Sequence, residues 1–347
     1  MTLTDLPRRR VGATTMQVPV LGFGAAHLGE LYGLVPEAQS QATLQAAWDV
    51  GVRFFDTAPW YGRGLSEHRL GAFLRGRPRG EFQVTTKVGR TLHRPANPRT
   101  FDRAPWAGGL NFDVHFDYTR DGILRSYEQA LQRSALDTVD ALVIHDLDDG
   151  FHGEKLGVYQ AQLAASGLAA LQELKAAGDI KAYGMGINNN VALENVAARF
   201  DLDFCLVALP YTLLDHASLH RGMADLQRRG ISVVIGAPYA SGILVTGSAG
   251  PQHYAYGQAG PKIQAKVLGI EAVCAVHGVA LPAAALQFVL AHPAVVAVIP
   301  GGARPEEVVQ NAGHVQAAIP ARFWADLKAA GLIDSAAPVP GGSDEPV

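Results

Sequence analysis

The sequence predicts an α/β fold of the (β/α)8 TIM-barrel class, with an N-terminal β-hairpin and long loops at the C-terminal face of the barrel. Three observations predict it. Eight short β-prone apolar runs alternate with stretches of helical periodicity, the pattern of a parallel sheet wrapped by helices. Gly51, Gly178 and Gly230 each separate a helical stretch from a following β-prone run, where a left-handed residue ends a helix. The 347 residues suit one barrel domain, and no G-x-G-x-x-G run follows the first strand, which disfavours a doubly wound dinucleotide fold.

Taken in order, residues 8–21 alternate short β-prone runs around Gly12 and Ala13 and predict the hairpin. Residues 20–25 form the first barrel strand. Residues 37–50 are helical, with Leu44, Ala47 and Trp48 at helical spacing. The second strand, carrying Val52, Phe54 and Phe55, stops at Asp56. A turn-rich stretch with Pro59, Gly62 and Gly64 then carries Trp60 and Tyr61. Ser66 is placed to cap a helix whose apolar face is Leu70, Phe73 and Leu74. The third strand, 82–88, bears Lys87 near its end. The loop that follows, 89–118, is long and rich in Arg, Pro, Gly and aromatics, and its aromatics argue against disorder.

A helix through Ile123, Tyr127 and Leu131 leads to the fourth strand, 139–144, which ends at His145. A second loop, 146–160, precedes a helix through Leu168, Leu171 and Leu174. The strand 180–187 closes on Asn188-Asn189-Asn190, and helix 191–199, strand 204–208, helix 219–229 and strand 231–236 continue the alternation. A third loop, 238–261, precedes a helix with Ile263, Val267, Ile270 and Cys274 on one face. The most membrane-like stretch, 281–300, is broken by Gln287 and His292-Pro293 and reads as a helix followed by the eighth strand, 295–299. Helices 305–315 and 323–330 complete a single domain over 1–335, and 336–347 is expected to be a mobile tail.

Hydrophobic content of 48% and charged content of 18% are globular values. A net charge of −3 gives no reason to expect nucleic acid or an anionic membrane as partner. Cys205 and Cys274 stand alone in apolar surroundings, so they read as buried and reduced, with no disulfide framework and no metal set. The first residues are basic without an apolar run, so no secretory signal and a cytoplasmic location are expected.

Asp56, Tyr61, Lys87 and His145 each have an ordinary structural reading as turn, rim or strand-end residues. Together, at the same end of consecutive strands, they stand where barrel enzymes carry their chemistry. A phenol with pKa about 10 is a weak base. A neighbouring ammonium favours its phenolate, so Tyr61 is expected to titrate below a free phenol, and a buried carboxylate can hold that ammonium charged. A histidine beside the phenol can donate a hydrogen bond to a carbonyl or alcohol oxygen. The set suits proton transfer at oxygen while hydride moves at carbon. Side chains supply no hydride, which implies a nicotinamide cofactor.

The runs GVRFFDTAPWYGRGLSEHRLG, TTKVG, VIHD and IPGG…N resemble the aldo-keto reductase superfamily, over about residues 20–332. The resemblance implies the catalytic tetrad Asp56, Tyr61, Lys87 and His145, with NADP(H) or NAD(H) as cofactor. It implies that Asn188 and Asn189 contact the nicotinamide carboxamide and that Tyr211 stacks on the ring, while Ala208 replaces a usual Gln. The turn residues Pro238, Ser241, Gly242 and Leu244, with Gly301, Gly302, Arg304, Glu307 and Asn311, complete the implied dinucleotide site. Ala303 occupies the usual place of an Arg that grips the 2′-phosphate of NADP, and Arg304 lies one residue later.

Within the superfamily, LNFDVHFDYTRDGILRSYEQALQR, IHDLDDGFHG, GAPYASGIL and AAALQFVLAHPAV resemble the group of D-threo-aldose 1-dehydrogenases, including L-fucose and L-galactose dehydrogenases, and pyridoxal 4-dehydrogenase. That implies oxidation of a sugar C1 hydroxyl to a lactone, or of an aldehyde held as its hemiacetal. Trp60, Trp106, Tyr254 and Tyr256 are expected to border this small-molecule substrate, and no metal is implied. A general NADPH-dependent carbonyl reductase is the alternative, and the intact tetrad argues against a non-catalytic nucleotide sensor. The oligomeric state stays open.

Overall fold

The computed structural model describes residues 6–341 except Tyr256 and the side chain of Ala197. Eight strands form one sheet in sequential order: Phe23–Gly24, Phe54–Asp56, Gln83–Val88, Ala141–Ile144, Ala182–Ile187, Phe204–Ala208, Ser232–Gly236 and Val295–Ile299. Every pairing within it is parallel. Parallel bridges from Leu21 to Val298 and from Gly24 to Gly301 join the first strand to the eighth and close the barrel. Strand alternation sorts the side chains as a period of two requires. Phe54, Val143, Leu206, Val234 and Ile299 fill the interior, whereas their neighbours Phe55, Ile144, Val207, Val233 and Val298 pack outward under the helices.

The hairpin pairs Arg8–Arg10 with Gln17–Pro19 and sends Val11, Met16 and Val18 into the interior cluster, so it stoppers the N-terminal end. Arg9 pins it there by donating from Nη1 to the carbonyls of Leu290 and Val295 at 2.9 and 2.6 Å. With that end plugged, the C-terminal ends of the strands are left to carry a site.

Several local expectations are revised. Ser66 lies inside the helix Leu65–Leu74, and its Oγ donates to the carbonyl of Ala25 instead of capping. The loop 89–118 contains an antiparallel hairpin, Arg90–His93 with Asp113–Phe116. The loop 146–160 is largely helical, with Asp148 capping Asp149–His152 and a second helix at Leu156–Gln162. The stretch assigned to a mobile tail from 336 begins packed: Ala337 is buried and Val339 lies against the core, while 342–347 fall outside the described residues. Among the described residues no single helix is long and apolar enough to cross a membrane; the bent pair Pro261–His277 and Leu281–Leu290 is part of the barrel's helical layer.

Candidate active site

Strand register brings the first polar residues together. Asp56 pairs with Thr85 across the second and third strands, and Lys87 with Val143 across the third and fourth, so Asp56, Lys87 and His145 emerge at one end. Lys87 Nζ donates to Asp56 Oδ2 at 2.6 Å and to the carbonyl of Thr57 at 2.9 Å, and Thr85 Oγ1 donates to Asp56 Oδ1 at 2.8 Å. Nζ also lies 4.5 Å from the centre of the Tyr61 ring. Tyr61 meets the ring of His145 edge-on, 6.0 Å between centroids. The backbone that presents Tyr61 is pressed against the loop after the first strand. A Cβ at Gly29 would sit 2.5 Å from Gly62 N, and Gly62 itself has φ +63°, so neither position has room for a side chain.

Charge states follow from burial and partners. Burial alone would push the Lys87 ammonium down, but the carboxylate of Asp56 and, after it, Tyr61 together outweigh burial and hold Lys87 above its ordinary value. For Tyr61 the balance falls the other way: burial raises the phenol above its ordinary value, and Lys87 only partly opposes this. The expectation of a phenol titrating below its free value is therefore overturned, because burial was invisible in the sequence. His145 is driven well below the usual imidazole range by burial, then by Arg90 and Lys87, so it is neutral at pH 7.

A second charged layer, missed by sequence reasoning, backs His145. Asp146 Oδ2 lies 3.2 Å from His145 Nε2 and accepts from Arg90 Nη2 at 2.5 Å, while Asp146 Oδ1 accepts from Asn188 Nδ2 at 2.5 Å. Arg90 is 1% exposed and is enclosed by the rings of Trp60, Phe116 and Phe151. The only clue in the sequence was an acid directly after His145 and a base directly after Gly89.

Of the residues expected to border substrate, Trp60 and Trp106 are brought to Tyr61. Their rings lie 5.6 Å apart, and Trp106 is 6.0 Å from the Tyr61 ring. Trp106 is held through Glu30, whose carbonyl accepts from Ala107 N at 2.8 Å and whose carboxylate accepts from Gly109 N at 3.0 Å. Arg69, 6% exposed, grips that carboxylate in turn at 3.1 Å. Tyr254 is instead on a small hairpin, His253–Tyr254 with Gly257–Gln258, against the turn Ala240–Gly242. Burial and a hydrogen-bonded Asp215 push its phenol up to about 12. Tyr256 lies outside the described residues.

The implied dinucleotide residues divide. Tyr211 is fully buried, stacked on Phe288 at 5.5 Å and edge-on to His292. Leu244 and Pro238 are buried too. Asn189 caps the helix Asn190–Arg199, its side chain accepting from Ala192 N at 2.8 Å. Ser241 and Gly242 form a half-exposed turn with φ +64° and +99°. Gly301 and Gly302 follow the eighth strand and lead into the helix Pro305–Gln316, at whose start Glu307 Oε2 accepts from Ala303 N at 2.8 Å and Arg304 N at 3.2 Å. Burial would raise the Glu307 carboxyl, but these bonds and the guanidinium of Arg304, 2.8 Å away, hold it below its ordinary range. Asn311 accepts from Tyr239 OH at 2.5 Å, a partner the sequence did not single out.

These residues fit a nicotinamide dinucleotide. Buried polar atoms without a protein partner, His27 Nδ1, Trp106 Nε1 and His145 Nδ1, lie on loops at this face, as do the Ser241-Gly242 turn and the glycine pair at a helix start. Among the described residues no group of His, Cys, Asp and Glu is arranged to hold a metal ion. A cavity of about 920 Å³ opens at the opposite end of the barrel, lined by Arg9, Gln227, His292 and Ala337, and has none of this chemistry.

Comparison with known proteins agrees with this geometry. The aldo/keto reductase family profile matches residues 20–331. The chain is 38% identical over 342 residues to a pyridoxal 4-dehydrogenase from Microbacterium luteolum, covering 96% of this chain and 100% of that one. It is 38% identical over 332 residues to a D-threo-aldose 1-dehydrogenase from a Pseudomonas species, covering 92% of this chain and 96% of the relative. Its fold is similar to that of a holo-form aldo-keto reductase from Bacillus halodurans, with a TM-score of 0.73 at 23% identity over 96% of this chain and 98% of the other. The chain belongs to the aldo/keto reductase family and is an NAD(P)-dependent oxidoreductase.

Proposed function

We propose that this enzyme oxidises the hydroxyl on the hemiacetal carbon of a ring-closed aldehyde, an aldose C1 giving a lactone, with pyridoxal as the second substrate to test. One observation carries the reading: the Asp56–Lys87–Tyr61 relay and the neutral His145 lie beneath a wall of two tryptophans, Trp60 and Trp106. A sugar ring needs flat apolar surface beside hydrogen-bonding groups, and this corner offers both. The names of the two relatives, an aldose and a pyridoxal dehydrogenase, support the substrate class.

In this reading the substrate's O–H proton passes to the phenolate form of Tyr61, which becomes the phenol that burial favours; the Lys87 ammonium steadies the phenolate, and Asp56 keeps that ammonium charged. A nicotinamide bound there would supply the hydride acceptor for the substrate's C–H. His145, uncharged, donates to the substrate oxygen and does not compete for the proton. Arg304 is the residue proposed to read a 2′-phosphate, and both NAD and NADP are accepted because Glu307 already engages it.

Steady-state rates on L-fucose, D-arabinose, L-galactose and pyridoxal with each dinucleotide test this. Lactone formation from one of them, faster than reduction of a simple aldehyde with NADPH, is expected. The reverse order would replace the reading by a general carbonyl reductase.

A further inference from the structure

The residues behind His145 have no part in the relay, yet they are among the most buried charges at this end of the barrel. Asp146 is 5% exposed and Arg90 1%, and they meet at 2.5 Å. Burying such a pair is unfavourable unless its geometry is satisfied, so its position asks for a use. The carboxylate joins three segments: the hairpin that starts at Arg90, the end of the fourth strand at His145 and the end of the fifth at Asn188. Asp146 also has φ +45°, a left-handed conformation that Asp and Asn tolerate best among residues with a side chain.

We propose that Asp146, clamped by Arg90 and Asn188, is a positioning residue that keeps the imidazole proton of His145 on Nε2 and fixes the ring against Tyr61. The inference rests on the functional reading above. A carboxylate oxygen 3.2 Å from Nε2 favours an N–H there and disfavours a lone pair. It does so as a lateral electrostatic contact, which leaves the N–H to point at a substrate oxygen. His145 Nδ1 then carries the lone pair, and it is a buried atom with no protein partner. Arg90 plays two parts. It neutralises Asp146, and its guanidinium lies 5.2 Å from the centre of the Trp60 ring, so the group that steadies His145 also backs the substrate wall.

The charged and titratable groups facing His145 and Asp146 from the surrounding elements are Tyr61, Lys87, Arg90, Asp148, His152 and Tyr118. Tyr118 OH donates to the carbonyl of His145 at 2.7 Å, and Lys87 and Asp148 lie within electrostatic reach of Asp146. None of these offers a second carboxylate to His145 Nε2, so the tautomer depends on Asp146.

The test is Asp146→Asn, because Asn keeps the left-handed backbone. Nitrogen-15 spectra of histidine-labelled protein, with His145→Gln to assign the signal, read the tautomer without substrate. Wild type is expected to show His145 protonated on Nε2 alone, and Asp146→Asn a mixture of tautomers. With substrate, kcat should fall tenfold to a hundredfold while KM moves less than threefold, the scale for losing one charge-assisted contact behind an active group. Should the single variant fail to fold, Arg90→Met with Asp146→Asn removes both charges and is read by its tautomer alone, because Arg90 also backs Trp60. A His145 signal unchanged in a folded variant, or protonated on Nδ1 in wild type, overturns the proposal. If no sugar is oxidised but the tautomer shifts as expected, the positioning role stands and the substrate assignment alone falls.

Discussion

Asp56→Asn should separate the two uses of the buried ion pair. Lys87 Nζ lies 2.6 Å from Asp56 Oδ2, and each side chain is only 2% exposed. Removing one partner of such a pair leaves the other charge buried and uncompensated, which costs roughly 3–5 kcal/mol of stability. Lys87 would then hold its proton more weakly, since burial pulls it down and the carboxylate is the larger of the two groups, with Tyr61, that hold it up. Tyr61 would lose the ammonium that opposes the effect of burial on its phenol, and sugar oxidation should slow by about 10²–10⁴. The double variant Asp56→Asn, Lys87→Met should regain most of the lost stability, because no lone charge remains, yet recover none of the rate. Urea unfolding and steady-state rates on wild type and the two variants make the comparison. If the double variant is no more stable than the single, Asp56 is not what holds Lys87 charged.

Three further outcomes are expected. Tyr61→Phe should lower kcat by about 10²–10⁴ and leave dinucleotide affinity unchanged, as measured by fluorescence titration; retention of a tenth of the rate removes Tyr61 from the proton transfer. Arg304→Ala should weaken NADP binding by roughly ten- to a hundredfold and leave NAD unaffected, whereas Glu307→Gln, which frees the guanidinium, should tighten NADP; equal changes for both dinucleotides would show that Arg304 does not read the phosphate. His292, driven to about 4 by burial, binds a proton more weakly folded than unfolded. Its contribution is therefore complete above pH 6.5 and lost as pH falls from 6.5 through 4, by up to ~3 kcal/mol. His292→Asn keeps an acceptor for Ala294 N and should flatten that acid limb in urea unfolding; an unchanged limb assigns it to other groups.

The barrel was legible because its strands are short apolar runs bounded by polar ends, and a polar residue at a strand end is visible in one dimension. Asp56, Lys87 and His145 were found for that reason. Arg90 and Asp146 were not, since their meaning lies in a contact across 56 positions that no local pattern encodes. The burial of Tyr211 was not legible either: the chain after the sixth strand tucks its ring against Phe288, and burial is decided by packing that the tyrosine's neighbours in sequence do not reveal. Helices in 146–160 were hidden because Gly150, Gly153 and Gly157 interrupt the apolar period that would have announced them.

The hairpin Arg90–His93 with Asp113–Phe116 brings together the two ends of the segment that carries Trp106. Arg90 faces Phe116 and His93 faces Asp113 at fixed register, whatever number of residues runs between. That segment touches the barrel through Glu30, through the carbonyl of Gly62, which accepts from Leu110 N at 2.8 Å, and through Arg63, whose guanidinium donates to the carbonyls of Arg103, Ala104 and Phe112. Length and composition between 94 and 112 can thus change without disturbing the register of a single barrel strand. This makes the segment an exchangeable cassette, clipped at its base by a paired ladder and over its length by the Glu30 carboxylate and the Arg63 guanidinium. If it borders the substrate as proposed, grafting the corresponding segment of a relative between His93 and Asp113, with Glu30 and Arg63 retained, is the natural route to a new substrate on an untouched proton relay.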